Sequence, residues 1–373
     1  MRGKKQRKKE IVVIGAGALG TALTHAISHK GYSLSVLTRD EFKASSINNQ
    51  DTNAYVKDFN DIQFPYGKVS AFTYDQFPSV LADARIIILT VPSFAIVETI
   101  ELIKASITKA QRIILVITSK GADSESGETP YKFAQKSFRS YPLVSVVVAS
   151  VVGFAIGIAR KELTKILVSS RRSSNDANRI IRTLLSTRYL IVKKSFDPNG
   201  ACLSGLLKNV GAIMIGMCEG MKGYTFSNGD KVIIGEENSR WAFVDEWSDD
   251  MVDIAKALGI RKRTIEGLVG KIDLGLSSSP KGRNWQFGYR LAQGEAMEKI
   301  ILDLGTVEGI GAAKYLNTVI DSKYISTLVK VLDKEISPIE AVGMVLNDNN
   351  SSVTQRFSDE DFLLSTIRTM GVL

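Results

Sequence analysis

The feature that most constrains the fold of this chain is a strand, a glycine-rich turn and a helix that follow one another near its amino end. Ile11–Ile14 is an apolar run of strand length, and residues 15–20 read Gly-Ala-Gly-Ala-Leu-Gly. Apolar residues then recur at helical spacing over 21–30, Gly31 ends this segment, and Ser33–Thr38 returns to strand character. This order predicts a β-α-β unit with two parallel strands.

The three glycines of the turn have the spacing of a dinucleotide-binding fingerprint. Gly15 permits the tight turn, Gly17 lets backbone amides approach a pyrophosphate, and Gly20 allows the helix to pack closely on the strand. The start of the helix also favours negative charge. We therefore predict that Gly15, Gly17, Ala18, Leu19 and Gly20 bind a nicotinamide cofactor, NAD or NADP.

The end of the second strand bears on the choice between these cofactors. An acidic residue there favours NAD, because it accepts hydrogen bonds from the ribose hydroxyls, whereas an arginine suits a 2′-phosphate. The chain reads Arg39-Asp40 at this point. Arg39 is predicted to contact the adenosine part of the cofactor, and both NAD and NADP remain open.

The rest of the chain divides into a strand-rich part and a helical part. With 373 residues it is too long for one ordinary core. Strands separated by helices predict an α/β fold with a Rossmann-type, doubly wound parallel sheet. The further predicted strands are 85–91, 112–118, 144–150, 165–169 and 189–192. The predicted helices beyond Phe196 are 199–220, 238–258, 284–304 and 338–346, with no strand of comparable quality among them.

These patterns predict a basic flexible tail over 1–9, a dinucleotide-binding Rossmann domain over 10–197 and an all-helical substrate and catalytic domain over 198–373. Turn residues at 197–200 mark the boundary. Six of the first nine residues are basic, and without them the net charge falls from +9 to +3. We interpret the tail as a solubilising segment rather than as a nucleic-acid-binding arm.

Cysteine and histidine are too few for a metal centre or a disulfide framework. The two cysteines, Cys202 and Cys218, lie in one apolar segment without metal-ligand spacing, and the chain has only two histidines, His25 and His29. The apolar runs 143–158 and 204–218 are interrupted and shorter than a membrane span. We therefore expect no metal, no membrane span and a cytoplasmic location.

Two other predicted strands end in residues suited to ligand binding. Val91-Pro92-Ser93 closes one strand, and Ser119-Lys120-Gly121 closes the next. In a parallel sheet of this kind ligands bind at the carboxyl ends of the strands. Pro92 is therefore expected beside the cofactor, and Lys120 beside a phosphate or carboxylate.

The candidate for proton transfer is Lys208, which lies with Asn209 in an otherwise apolar, small-residue helix over 205–216. Burying an ammonium group without a partner is costly, so Lys208 is expected to face a polar cleft. Desolvation and a neighbouring cation such as Lys120 would there make it a useful general base. His25 and His29, four residues apart on the first helix, are interpreted as ordinary helix residues.

The sequence resembles the NAD(P)-dependent glycerol-3-phosphate dehydrogenase family. The resemblance extends over nearly the whole chain, and the ordered set of motifs is more specific than any one of them. Its motifs lie at residues 15–23, 119–121, 207–209, 267–274 and 282–284. It implies the reduction of dihydroxyacetone phosphate to sn-glycerol 3-phosphate, a step that feeds phospholipid synthesis.

The resemblance also implies roles for individual residues. Lys208 would donate or accept the proton, Lys120 would contact substrate and cofactor, and Asp273 would orient the lysine. Arg283 and Asn284 would hold the phosphate, which agrees with the bidentate bonding of guanidinium groups to phosphate. Further residues implied are Ala155, Arg283 and Glu308 beside the cofactor and Gly153, Asn209, Ser277 and Gly282 around the substrate. A homodimer is implied as well.

One segment departs from the family pattern. Where the family usually carries Gly-Pro-Ser-Phe-Ala-x-Glu, residues 151–157 read Val-Val-Gly-Phe-Ala-Ile-Gly. Leu19 and Ile272 also replace the usual aromatic residue and glycine. These changes make one wall of the pocket more apolar, so a related dehydrogenase of another phosphorylated or carboxylated ketone is an alternative. A catalytically silent nicotinamide-binding sensor is another.

Overall fold

The computed structural model describes residues 10–122, 127–225, 229, 231–234 and 236–345. The predicted tail over 1–9 lies outside these residues. The contacts divide the chain into two compact units. The first contains the described residues up to Asn209 together with Ser248–Ser277, and the second contains Val210–Trp247 and the residues from Ser278 onwards. The domain boundary expected at 197 stays a prediction.

The first unit is built on an eight-stranded sheet whose order is β3-β2-β1-β4-β5-β6-β7-β8. The six strands from β3 to β6 are parallel and have the order of a Rossmann sheet. The strands are β1 (Ile11–Ile14), β2 (Leu34–Thr38), β3 (Val69–Thr73), β4 (Ile86–Leu89), β5 (Ile113–Ile117), β6 (Val144–Val152), β7 (Thr164–Ser169) and β8 (Leu190–Ser195).

Helices cover both faces of this sheet, because successive apolar side chains of a strand point to opposite faces. Val13 belongs to one buried cluster, and Val12 and Ile14 belong to the other. The helices that begin in this part of the chain are α1 (Ala18–Ser28), α2 (Glu41–Gln50), α3 (Phe77–Leu81), α4 (Ile96–Ser106), α5 (Pro130–Ser137), α6 (Ala155–Ala159), α7 (Asn175–Leu185) and α8 (Pro198–Met221).

The predicted α/β fold class is confirmed, and the strand predictions need two corrections. The strand β3, which pairs with β2, was not predicted. The strand β7 runs antiparallel to β6, so the sheet is not parallel throughout. A parallel neighbour needs a long crossover, whereas the connection over 153–163 holds only the short helix α6 and returns the chain beside the end of β6.

The remainder of the chain is mostly helical, and it too differs from the prediction in detail. The predicted helix over 284–304 is two helices, because Gly294, with φ +82°, interrupts the segment. A two-stranded antiparallel ribbon, β9 (Tyr224–Thr225) with β10 (Lys231–Val232), interrupts the expected all-helical part. The helices are α9 (Glu237–Ala257), α10 (Lys262–Ile265), α11 (Asp273–Ser277), α12 (Arg283–Ala292), α13 (Met297–Leu304), α14 (Glu308–Val319), α15 (Lys323–Leu332) and a last one over 338–345.

The helix α8 passes from the first unit into the second. By length and composition alone it could cross a membrane, but 89% of its most apolar window is buried within the protein. Such burial is what a core helix shows. Its two cysteines, Cys202 and Cys218, are buried and free, and burial raises the pKa of both thiols, that of Cys202 to about 12.

Candidate active site

The glycine-rich turn after β1 has the tight geometry that its sequence predicts. Gly15 has φ +108°, and a Cβ atom there would lie 2.9 Å from Thr90 Oγ1. At Gly20 a Cβ atom would collide with the carbonyl oxygen of Gly15. Thr90, directly after β4, donates a hydrogen bond of 2.8 Å to that same oxygen. The turn therefore requires glycine at both positions.

The start of α1 is open and carries no competing anion. Gly17 caps this helix without a side-chain hydrogen bond, and the first turn, which contains Ala18 and Leu19, has no acidic residue. Among the described residues, no heavy atom outside the immediate chain lies within 4 Å of where a Cβ of Gly17 would be. Asn53 is fully buried, and its side chain donates a hydrogen bond of 3.0 Å to the carbonyl oxygen of Ala16, which fixes the turn. This geometry fits a cofactor pyrophosphate.

Other predicted residues lie along the same edge of the sheet. Because β1, β4, β5 and β6 are parallel neighbours, Gly15, Pro92, Lys120 and Gly153 follow strands whose carboxyl ends are adjacent. Ser119 Oγ donates 2.7 Å to the carbonyl oxygen of Val91, which joins two of these loops.

A cluster of charged side chains lies at this edge within the first unit. Lys120 Nζ is 2.6 Å from Asp273 Oδ2, and Lys208 Nζ is 3.4 Å from the same oxygen. Lys208 also donates 2.8 Å to Ser277 Oγ. The lysine side chains are 17% and 12% exposed and that of Asp273 is 3% exposed. These three ionised groups carry a net charge of +1 and so favour an anionic ligand.

The carboxylate of this cluster is held in its ionised form. Burial by itself would raise the pKa of Asp273, but the nearby ammonium groups of Lys120 and Lys208 reverse that effect and hold the pKa below its usual value. Asp273 therefore remains a hydrogen-bond acceptor and fixes both amines in position.

Three local features bring Asp273 and Lys208 together. A π-helical turn over Leu268–Ile272 leads directly into Asp273, and such turns are frequent at functional sites. At Gly205, one turn before Lys208, a Cβ atom would lie only 2.6 Å from Lys120 Cβ, so glycine lets α8 approach the loop after β5. Asp197 accepts hydrogen bonds from Gly200 N at 3.0 Å and from Thr264 Oγ1 at 2.8 Å, which ties α8 to the segment before the π-turn.

The segment over 151–157 contributes its backbone to this site. Lys120 Nζ donates 2.5 Å to the carbonyl oxygen of Val151. Gly153 has φ +155°, and Ala155 begins α6 and packs on the buried cluster that includes part of α1. Asn209, the residue after Lys208, is buried. The apolar substitutions noted in the sequence thus leave a polar contact to Lys120 in place.

Four further predicted residues belong to the second unit. Gly282 caps α12, and Arg283 is the exposed first residue of that helix. The side-chain oxygen of Asn284 accepts a hydrogen bond of 2.9 Å from Gly309 N. This bond ties the start of α12 to the start of α14, where Glu308 is exposed. Arg283, Asn284 and Glu308 therefore lie on two helix starts that are joined.

A second buried carboxylate supports the start of α12. Glu219 is 3% exposed and forms a two-pronged ion pair with Arg240, with N–O distances of 2.5 and 2.9 Å. It also accepts 3.2 Å from the indole nitrogen of Trp285. Sequence reasoning did not single out this residue. A glutamate beside Gly and Cys in an apolar helix was an available signal.

Sequence reasoning also missed Thr90, Asn53 and Asp197. Thr90 lies within the predicted strand over 85–91, and Asp197 precedes a Pro-Asn-Gly sequence that we interpreted as a boundary. The structure uses Asp197 to cap the first turn of α8. Asn53 lies in an irregular segment with no local signal, because its partners are 32 and 37 residues away in the sequence.

A glycine fingerprint on a Rossmann sheet, with a lysine pair at the same edge, defines the class of dinucleotide-dependent oxidoreductases. The comparisons with known proteins are more specific. Residues 10–176 match the family model for the N-terminus of NAD-dependent glycerol-3-phosphate dehydrogenase, and residues 197–343 match the model for its C-terminus. The chain belongs to the NAD-dependent glycerol-3-phosphate dehydrogenase family.

Individual relatives agree with this assignment. The chain is 29% identical to glycerol-3-phosphate dehydrogenase [NAD(P)+] of Lawsonia intracellularis, over 91% of this chain and 93% of that protein. It is 28% identical to the protein of the same name from Geobacillus kaustophilus, over 82% and 83%. The fold is similar to that of the Coxiella burnetii glycerol-3-phosphate dehydrogenase, with a TM-score of 0.78, 22% identity and coverage of 91% and 99%.

Proposed function

We propose that this chain reduces dihydroxyacetone phosphate to sn-glycerol 3-phosphate with NADH or NADPH, and that it catalyses the reverse reaction. The observation that carries this proposal is the Lys120, Asp273 and Lys208 cluster at the sheet edge that also carries the glycine turn. The family membership and the names of the relatives support the same reaction.

The turn after β1 holds the cofactor in this proposal. Amide groups around Gly17, Ala18 and Leu19 bind the pyrophosphate, and Arg39 contacts the adenosine. Pro92, Lys120, Ala155, Arg283 and Glu308 complete the cofactor contacts. When bound, the reduced nicotinamide supplies a hydride to the ketone carbon of the substrate.

Lys208 handles the proton. As the carbonyl oxygen of the substrate gains negative charge, the Lys208 ammonium donates a proton to it, and in the reverse direction the neutral amine accepts the hydroxyl proton. Asp273 and Ser277 hold the amine through the contacts at 3.4 and 2.8 Å. Lys120 adds positive charge that stabilises the forming alkoxide.

The phosphate group needs cationic and amide donors. We assign Arg283 and Asn284 to it, because a guanidinium binds phosphate in two-pronged fashion and Arg283 opens α12, where backbone amides have no partners within the helix. Gly153, Asn209 and Gly282 complete the substrate contacts in this proposal. A homodimer in the cytoplasm is the expected state of the enzyme.

Cofactor oxidation with dihydroxyacetone phosphate, measured beside a panel of other phosphorylated and carboxylated 2-ketones, tests this function. We expect dihydroxyacetone phosphate to give the highest kcat/KM. If another ketone is reduced faster, the enzyme is a related dehydrogenase with a changed substrate. If NADH binds but no ketone is reduced, the protein is a nicotinamide-binding sensor, and the proposed reaction is wrong.

A further inference from the structure

The cofactor specificity of a Rossmann domain is decided near the end of its second strand, and here that place holds an arginine paired with a glutamate. Arg39 directly follows β2, and its Nη2 lies 2.6 Å from Glu98 Oε2 on α4. The Arg39 guanidinium carbon is 5.1 Å from the centroid of the Tyr74 ring, at the turn that follows β3. Tyr74, after β3, and Glu98, after β4, therefore both lie beside the guanidinium of Arg39, which follows β2.

The ion pair is exposed, with side-chain exposures of 53% for Arg39 and 61% for Glu98. Such pairs contribute little to folding stability. The side-chain hydrogen bond from Arg39 to Glu98 nevertheless raises the pKa of the arginine further, so the guanidinium keeps its full charge and shares it with the carboxylate. The pair matters for what can bind Arg39 rather than for stability.

The other acidic residue at this position has a different task. The Asp40 side chain caps α2 by accepting 3.1 Å from Lys43 N, and it lies 3.6 Å from the Lys43 ammonium. Asp40 is thus partly neutralised by its own helix. Glu98 is the carboxylate in direct contact with Arg39.

From this arrangement we propose that Glu98 is a specificity-determining residue that makes the enzyme prefer NADH over NADPH, an inference that rests on the proposed function. A 2′-phosphate would need the Arg39 guanidinium, which Glu98 holds, and would lie close to the Glu98 carboxylate. Charges this close are well within one Debye length, so salt screens their repulsion only in part. A ribose hydroxyl is neutral and meets neither obstacle.

The test measures cofactor dissociation constants by nicotinamide fluorescence, in the absence of substrate, for the full-length protein. The wild type should bind NADH more tightly than NADPH. Glu98→Gln should tighten NADPH binding about tenfold and leave NADH within about twofold. Adding Arg39→Ala to Glu98→Gln should abolish the gain, because the freed guanidinium is what binds the 2′-phosphate.

The matched control is Glu101→Gln, which removes another exposed carboxylate of α4, one that pairs with Lys104 at 3.3 Å. This variant should bind both cofactors like the wild type, and thermal unfolding verifies that every variant is folded. The proposal is overturned if Glu98→Gln leaves NADPH binding unchanged, if it shifts both cofactors equally, or if the wild type prefers NADPH. A wild type that binds neither cofactor would overturn the proposed function as well.

Discussion

Asp273 in the first unit and Glu219 in the second are both buried carboxylates that pair with cations, but the number and kind of their partners differ. Glu219 meets one guanidinium in a two-pronged geometry and also accepts from the Trp285 indole. Asp273 meets two separate ammonium groups, and the three groups together are positive. Lysine is a compact point charge that can move a proton, whereas arginine stays protonated.

The cations that a buried carboxylate meets, and not its burial, distinguish a group that can do chemistry from one that is structural. Both acids are 3% exposed. The ion pair of Glu219 with Arg240 is neutral overall, and through Trp285 it holds helix α12 in place, which is a structural role. The cluster of Lys120, Asp273 and Lys208 has an excess positive charge and contains the amine to which we assign the proton transfer.

Lys208→Ala tests the chemical role of the Asp273 cluster most directly. We expect kcat to fall about a thousandfold while the Kd for NADH stays within about twofold, because the amine acts on the substrate proton. Steady-state kinetics and fluorescence titration measure the two quantities. Lys271→Ala is the control, because that lysine pairs with the exposed Asp249 and its loss should change neither kcat nor the Kd for NADH. Near-normal turnover of Lys208→Ala would contradict the proton role.

Neutralising each buried carboxylate in turn should have different effects at Asp273 and at Glu219. Asp273→Asn should lower kcat about a hundredfold, because both amines lose the group that orients them. Glu219→Gln should mainly lower the free energy of unfolding, by about 3 kcal/mol, because Arg240 loses its partner in a largely buried pair. Urea unfolding and kinetics of both variants provide the measurements. Equal effects of the two variants on both quantities would remove the distinction.

Arg283→Ala tests whether the second unit also contributes to binding. We expect the KM for dihydroxyacetone phosphate to rise about thirtyfold, equivalent to about 2 kcal/mol of charge-assisted hydrogen bonding, with little change in thermal stability because Arg283 is exposed. Lys281→Ala removes an exposed cation two residues earlier and should leave KM unchanged. If both variants behave alike, Arg283 has no specific role at the phosphate.

His25 is a buried titratable group that carries no ion pair with a carboxylate in the contacts described above. Its Nδ1 lacks a hydrogen-bond partner among the described residues, and we expect it to have the smallest of the effects considered. Burial, His29 and Lys161 lower its pKa from 6.5 to about 4. The folded state therefore binds fewer protons than the unfolded state, so this stabilisation is present above pH 6.5 and is lost as pH falls towards 4.

Between about pH 7.5 and about pH 5 the wild type should lose about 2 kcal/mol more stability than His25→Gln. Urea unfolding at the two pH values measures this difference. His29→Gln, which changes the exposed neighbour, should keep most of the acid sensitivity of the wild type. An acid sensitivity that is the same in wild type and His25→Gln would show that His25 is not its source.

Much of the first unit could be predicted because its signals are local. Apolar runs of strand length and the glycine spacing after β1 reflect steric requirements within a few residues. The missed strand β3 has polar residues at the same positions as β2, but β2 was recognisable because it completes the β-α-β unit after the glycine turn, and β3 has no such context. The antiparallel direction of β7 depends on the connection over 153–163, which holds only the short helix α6, and the apolar pattern of the two strands does not express it.

The strand, glycine turn and helix near the amino end and the place of Lys208 in an apolar helix follow from the sequence, because backbone sterics and hydrophobic periodicity act over short distances. The tertiary structure alone decided that Asp273 would meet Lys120, 153 residues away, and that Glu98 would meet Arg39, 59 residues away. Such pairings depend on the packing of whole helices and strands. Charge alone makes any of the chain's acids an equally suitable partner for any of its bases.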